Sequence, residues 1–335
     1  MNHILFKSPP HQNNSDGQER QTGYEFEFTG ISMEDAAGLI QNLYGGSFKK
    51  DSTYIFRIIE SSLGAFKLEL DAQLLRDKKY EKFLKKIGIN LSDFKKKSSI
   101  EDSLKEIASS VVPFEIITPP IPLSKMPELN SLVHSLRERK VKGTGSSFLY
   151  AFGLHINPEA PDLSAESILR HLQAYVLLDG WIRKDAKINI SRRLTPFINE
   201  YDENYIYHIL QADYRPDLDR LIRDYFEYGN SRNRPLDLLP LFMFLDEKLT
   251  ASLIEEELTS SRPTYHYRLP NCSIEDEEWT LAEEWNRWVL VEQLANDVKS
   301  LDQYSRAWLK MKRDTLIGFD QKWVKLMGRW VENVN

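Results

Sequence analysis

The sequence predicts an α+β chain with a mainly antiparallel sheet, helices packed on one sheet face and a large helical C-terminal part. Four short segments carry strand character: Gly23-Tyr-Glu-Phe-Glu-Phe28, Phe66-Lys-Leu-Glu-Leu-Asp71, Pro113-Phe-Glu-Ile-Ile-Thr-Pro-Pro120 and Gly153-Leu-His-Ile-Asn157. Each sets ionisable groups against bulky apolar ones, and in the first two the alternation is strict, the two-residue period of a half-buried strand. Helices of unequal length interrupt these segments, which suits an antiparallel or mixed sheet better than a regular βαβ repeat. Beyond residue 160 the apolar period lengthens to three and four residues, the mark of helices.

Taken in order, residues 22–29 form the first strand, and a helix follows from Ser32 to about Leu43, with Ser32 as its N-cap, Asp35 three residues on, and Gly45-Gly46 ending it. Residues 54–60 and 66–71 read as a hairpin around Ser61-Ser-Leu-Gly64. A solvated, lysine-rich helix with a loop is expected over 74–97, a short helix over 101–110, and a strand over 111–117 that Pro119-Pro120 terminates. Met126, Leu129, Leu132, Val133 and Leu136 predict a helix over 124–140. The turn Gly143-Thr-Gly-Ser-Ser147 lacks the lysine and spacing of a Walker A loop and leads into a strand over 148–157. Residues 164–258 read as nearly all helical, 264–269 return to the strand pattern, and 279–330 are helical again. The tryptophans at 279, 285 and 288 fall on a helical stripe of the kind that packs a core. Residues 22–330 are thus expected to form one interleaved domain, with its sheet from 22–120, 148–158 and 263–270 and its helical layer from 160–260 and 275–330. A disordered polar segment, 1–21, precedes it.

Composition narrows the function. Of 335 residues 41% are hydrophobic and 28% charged, enough for a sizeable core. A net charge of -6 argues against nucleic acid as a partner, and the lysine clusters between residues 78 and 97 read as solvated helix ends. No apolar run approaches the ~20 residues needed to span a bilayer, so no membrane partner is expected. The single cysteine, Cys272, permits no intrachain disulfide, and with no secretory signal this predicts a cytoplasmic protein.

The polar faces of the strands point to chemistry. If the segments share one sheet, Glu25, Glu27, Glu69, Asp71, Glu115 and His155 gather on one side of it. Close carboxylates repel one another, and a divalent cation relieves the repulsion, so the pattern reads as a metal and phosphate site. An all-acidic pair at 25 and 27 is unusual for a merely wet strand face, which normally mixes in lysine, threonine and serine. Lys67 beside Glu69 also suits a simple surface ion pair. The sequence contains no HExxH, CxxC or Ser-His-Asp order that would support a hydrolase or zinc protease.

The order Gly-Tyr-Glu-Phe-Glu, Lys-x-Glu-x-Asp, Glu-x-x-Thr-Pro-Pro and Gly-x-His-Ile-Asn resembles the amidoligase family, carboxylate-amine ligases of the glutamine synthetase and glutamate-cysteine ligase fold. The likeness extends through Asn230-Ser-Arg-Asn-Arg-Pro-Leu-Asp-Leu-Leu239 and Tyr265-His-Tyr-Arg-Leu-Pro-Asn271, and covers about residues 22–299. It implies a curved sheet of the glutamine synthetase type and ATP-dependent amide formation: the γ-phosphoryl group passes to a carboxylate, and an amine attacks the acyl phosphate. The cofactors implied are ATP and Mg²⁺, with two ions, and the partners a carboxylate and an amine, on a small molecule or a protein; oligomeric state is left open. On this resemblance Glu25, Glu27 and Glu115 are metal ligands, and His155 binds a metal or a phosphate oxygen. His266 replaces a usual carboxylate as a ligand, and Arg268 clamps a phosphate. Arg57 and Arg234 are further candidate nucleotide contacts, and Glu69 or Asp71 deprotonates or orients the attacking amine. Two motifs depart from the family: its usual Asp-Gly-Ser is Asp71-Ala-Gln73 here, and its Glu-Phe-Arg is His266-Tyr-Arg268. The alternatives are ATP-dependent phosphoryl transfer to a guanidino group, and an interaction module that kept the fold without the chemistry.

Overall fold

The computed structural model of the chain describes residues 4–70, 114–144, 152–188, 198–228, 234–254, 260–315 and 317–334. The helices expected over 74–97 and 101–110, Asp71 and the start of the 148–157 strand lie outside the described residues. Among the described residues, nine strands pair throughout in antiparallel fashion into one sheet, and ten α-helices surround it.

Strand β1 (Gln21–Phe28) runs near the middle of the sheet because its alternation is the cleanest in the chain: Tyr24, Phe26 and Phe28 are all fully buried. Burying each such ring is worth about 1.5–3 kcal/mol. Helix α1 (Met33–Tyr44) follows, with Ser32 Oγ accepting from the Asp35 amide at 3.0 Å as the capping pattern requires. The chain then turns through Gly45 and Gly46. Gly46 has φ 94°, and a Cβ there would stand 2.5 Å from the Ile59 carbonyl, so only glycine fits this turn. Strands β2 (Ser47–Lys50), β3 (Ile55–Ser61) and β4 (Gly64–Leu70) make a meander, and β5 (Phe114–Ile117) joins β4 to β1. The two-residue β6 (Ile121–Pro122) pairs with the start of β1, and a 3₁₀ turn at Leu123–Glu128 leads into α2 (Leu129–Glu138). On the other side of β1 come β7 (Leu154–Pro158), β9 (His266–Tyr267) and finally β8 (Leu236–Asp237).

The helical layer comprises α3 (Ala165–Asp185), α4 (Glu203–Ile209), α5 (Leu218–Glu227), α6 (Leu239–Leu245), α7 (Glu247–Leu253), α8 (Leu281–Asn296), α9 (Val298–Asp314) and α10 (Phe319–Val334). Helices cover the apolar sheet face. Tyr44 of α1 stacks on Phe66 at 5.4 Å, Tyr24 reaches Met126, and Tyr175 of α3 and Trp288 of α8 pack on Tyr267. Helix α3 is buried along most of its length because α8 and α10 pack against it, with Trp323 donating to the Leu177 carbonyl at 2.8 Å.

Several expectations are corrected. β2 escaped the sequence reading because all four of its residues are exposed and carry no alternation. The stretch 164–258, read as nearly all helical, contains β8, a strand too short to show a period. Residues 4–20, expected to be disordered, stay mostly exposed but are tied to the body of the protein at defined points. Arg20 is buried and spans both carboxylate oxygens of Glu292 at 2.7 and 2.8 Å, while Lys7 and Leu5 exchange hydrogen bonds with Trp285 and Asn286 of α8. No helix among the described residues is long and apolar enough to cross a membrane.

Candidate active site on the polar sheet face

Register turns the alternating acids into a cluster. In an antiparallel sheet directly opposed residues share a face. Glu69 of β4 stands opposite Glu115 of β5, and Glu115 stands opposite Glu27 of β1, so three carboxylates form one row across three adjacent strands. In the neighbouring row Glu25 faces His155 of β7. Asp237 faces His266 beyond. Arg268 follows Tyr267, which points to the helices, and therefore returns to the polar face beside His266, whose ionisation its charge opposes.

His155 ties the two rows together. Its Nδ1 lies 2.8 Å from Glu25 Oε2 and its Nε2 lies 3.4 Å from Glu27 Oε1, with the ring 6% exposed. Glu27 also accepts from the Gly153 amide at 2.6 Å. Two residues outside the expected set complete the arrangement. Asn157 donates from Nδ2 to Glu25 Oε1 at 2.9 Å, and its Oδ1 accepts from Arg262 Nη2 at 2.9 Å and from His266 Nδ1 at 2.6 Å. Arg262 Nη2 also stands 3.5 Å from Glu25 Oε1. This fixes the orientation of the Asn157 amide, since the opposite one would set its donor against the guanidinium. It also places the His266 proton on Nδ1 and leaves Nε2 bare. Asn157 was legible by parity, two residues from His155 on the same face; Arg262, just before Pro263 at the entry to the last segment, carries no periodic signal.

Burial dominates the electrostatics. It pushes the Glu115 carboxyl well above the usual range, reinforced by Glu25, Glu27 and Glu69, so Glu115 keeps its proton to higher pH than an ordinary carboxyl. Burial likewise keeps the His266 ring neutral despite the adjacent Glu25. It would raise Glu25 too, but His266, His155 and Arg262 outweigh it and hold that carboxyl well below its ordinary value. Because the His266 ring is itself neutral, the Glu25 charge rests chiefly on the His155 hydrogen bond and the Arg262 guanidinium.

Two groups among the described residues have the makings of cation sites: Glu25, His155 and His266, and Glu27, Glu115 and His155, with candidate ligand atoms within 4.8 Å of one another in each group. All five residues expected to ligate metal therefore come together. Glu69 adjoins them, though its carboxylate also pairs with Lys67. Of the two further arginines expected at the nucleotide, Arg57 lies apart from the cluster. Arg57 pairs with Asp51 at 2.7 Å on β3, three strand spacings or roughly 14 Å from β1. Arg234 is enclosed by the rings of Tyr201, Tyr205 and Tyr225, with its guanidinium 4.6 to 5.9 Å from their centroids and the residue only 2% exposed. A cation seated among aromatic faces packs a core, and the tyrosines that build this cage are spread over three sequence segments.

A family model described as "Putative amidoligase enzyme" matches residues 18–290. No curated protein and no solved structure matches the chain. The matched span begins just before β1 and ends within α8, so it includes every residue of the polar cluster and most of the sequence. The chain belongs to the amidoligase family.

Proposed function

We propose that this protein joins a carboxylate to an amine in an ATP- and Mg²⁺-dependent reaction on a sheet of the glutamine synthetase type. The observation that carries the reading is the row Glu69, Glu115, Glu27 across three strands, adjoining Glu25 and His155 in the next row. Membership of the amidoligase family supports a ligase-type enzyme that forms amide bonds.

The residues suit divalent cations. A carboxyl whose ionisation is opposed first by burial and then by three neighbouring carboxylates marks a place where positive charge is wanted. Glu27 and Glu115 offer hard oxygen ligands for one ion; Glu25, His155 and His266 offer a mixed set for a second. Bound magnesium would draw charge off the phosphate oxygens as the γ-phosphoryl group transfers. Arg268 supplies a fixed positive charge beside that locus. A substrate carboxylate oxygen takes the γ-phosphoryl group, with the bond to the bridging oxygen breaking toward ADP. The amine then adds to the acyl carbon, loses a proton, and expels phosphate with the C–O electron pair. Glu69, at the end of the carboxylate row and beside Lys67, would take that proton. Asp71, the other candidate, lies outside the described residues.

The test is phosphate release from ATP and Mg²⁺ in the presence of a panel of amino acids and amines, with the amide product identified by mass. Glu25→Gln and Glu27→Gln should each lower the rate at least a hundredfold. Unchanged rates in both variants would remove the site, and a phosphoguanidine product would replace ligation by phosphoryl transfer.

A further inference from the structure

Arg262 occupies an unusual position for a cation. Its Nη2 touches Asn157 at 2.9 Å and stands 3.5 Å from Glu25 Oε1 and 3.3 Å from His266 Nδ1. Glu25 and His266 are two members of the mixed group that would take a divalent ion. A dication bound there and a guanidinium in van der Waals reach of its ligand repel strongly in so dry a site. The side chain is not locked. It is 29% exposed, its one further side-chain hydrogen bond runs from Nε to Thr264 at 3.2 Å, and Nη1 takes part in none of these contacts.

We propose that Arg262 is a placeholder cation for Glu25, displaced when a divalent ion enters the Glu25–His155–His266 group and then turned to an anionic oxygen of the bound substrate. This rests on the metal-dependent reading given above. Before the ion arrives the guanidinium neutralises Glu25 and satisfies Asn157. Ion entry takes over Glu25, and the released fork of Nη1 and Nη2 matches the paired oxygens of a carboxylate or phosphoryl group. Either ligand then favours the arrangement the other needs, so cation and anion strengthen each other's binding equally.

Mn²⁺ serves as probe cation, followed by the electron paramagnetic resonance of the free ion, with inorganic phosphate or glutarate as probe anion. Arg262→Gln should bind Mn²⁺ alone on the order of tenfold more tightly than the natural protein, since a repelling charge is gone. In the natural protein one of the anions should tighten Mn²⁺ binding, phosphate if the recognised oxygen is phosphoryl and glutarate if it is carboxylate, and in Arg262→Gln this gain should largely vanish. Arg262→Lys, which keeps the charge, should hold Mn²⁺ affinity near the natural value. A crystal of the natural protein soaked in Mn²⁺ should show the ion on Glu25 and the Arg262 guanidinium withdrawn from it. Equal or weaker Mn²⁺ binding in a folded Arg262→Gln protein, no effect of either anion, or an ion on Glu25 with Arg262 still in contact would each overturn the proposal while leaving ligation standing. The crystal decides if Arg262→Gln does not fold. Absence of Mn²⁺ binding in both proteins would instead overturn the metal-dependent function and this inference together.

Discussion

Glu115 and Glu69 stand directly opposite one another across β5 and β4, so a proton held by this pair of acids rests on the one whose ionisation its surroundings oppose more strongly. Burial and the charges of Glu25, Glu27 and Glu69 place that proton on Glu115.

Cation binding should therefore release a proton. The metal-free protein keeps the Glu115 proton to higher pH than an ordinary carboxyl because burial and the neighbouring carboxylates raise it, whereas a ligating carboxylate must be ionised, so affinity rises with pH until Glu115 ionises without help. Titration calorimetry with Mg²⁺ or Mn²⁺ at successive pH values, in two buffers of different ionisation enthalpy, should give buffer-dependent heats that fade as pH rises through the titration of Glu115. The dependence should disappear in Glu115→Gln. Buffer-independent heats in the natural protein would place the proton elsewhere.

Asn157 is the second prediction. Its amide satisfies Glu25, His266 and Arg262 at once, the first two of them largely buried. Asn157→Ala leaves a carboxylate oxygen and an imidazole N–H without that partner, at a cost of about 1–3 kcal/mol. Urea denaturation should show a lower midpoint, and phosphate release should fall with it. Stability within 0.5 kcal/mol of the natural protein, on that order at most, would mean that water replaces the amide without cost.

The buried pair Arg20–Glu292 yields a third. Glu292 also accepts from Trp288 Nε1 at 2.7 Å, and Arg20 donates to the His11 and Glu159 carbonyls, so the pair fastens the N-terminal segment to α8. Arg20→Ala should destabilise by about 3–5 kcal/mol, because Glu292 is left buried and uncompensated. The double variant Arg20→Met, Glu292→Leu should recover much of that loss in the same denaturation experiment. A single-variant cost below about 1 kcal/mol would show that the segment is held by other contacts.

This pair also shows where the sequence stops being readable. Period-two alternation revealed which side of β1, β4, β5 and β7 Glu25, Glu27, Glu69, Glu115 and His155 occupy, while His266 was singled out only by the family resemblance. Alternation does not order strands or set register, so the row from Glu69 to Glu27 emerged only when β4 and β1 were found on either side of β5. Residues 4–20 look like a polar tail because the glutamate that anchors Arg20 is 272 positions away, and pairings of that range leave no local pattern. Arg234 shows the converse: its neighbours in sequence suggested a phosphate contact and gave no sign of the tyrosine cage that residues 201, 205 and 225 build around it. Arg262 belongs to no regular element, and only proximity in the fold joins it to Glu25.

A fourth prediction concerns stability against pH. His171 lies within α3, hydrogen-bonds from Nδ1 to the Ser167 carbonyl at 2.8 Å and stacks on Tyr265 at 5.0 Å. Burial, with Arg20 and Arg170 adding to it and Glu292 opposing, depresses its pKa. The unfolded chain therefore takes up this proton first as pH falls through about 6.5, and its greater proton uptake drains stability from the folded form. The loss continues until the folded pKa is reached. Glu115 has the opposite sign over the acid range, since the folded protein keeps a proton there that the unfolded chain gives up. The His171 contribution is isolated by difference: the natural protein and His171→Gln are each unfolded in urea at pH 7.5 and pH 5.5. The destabilisation on acidification should be smaller in the variant, because its side chain cannot be protonated, whereas an unchanged difference would show that His171 opens to water and titrates freely in the folded state.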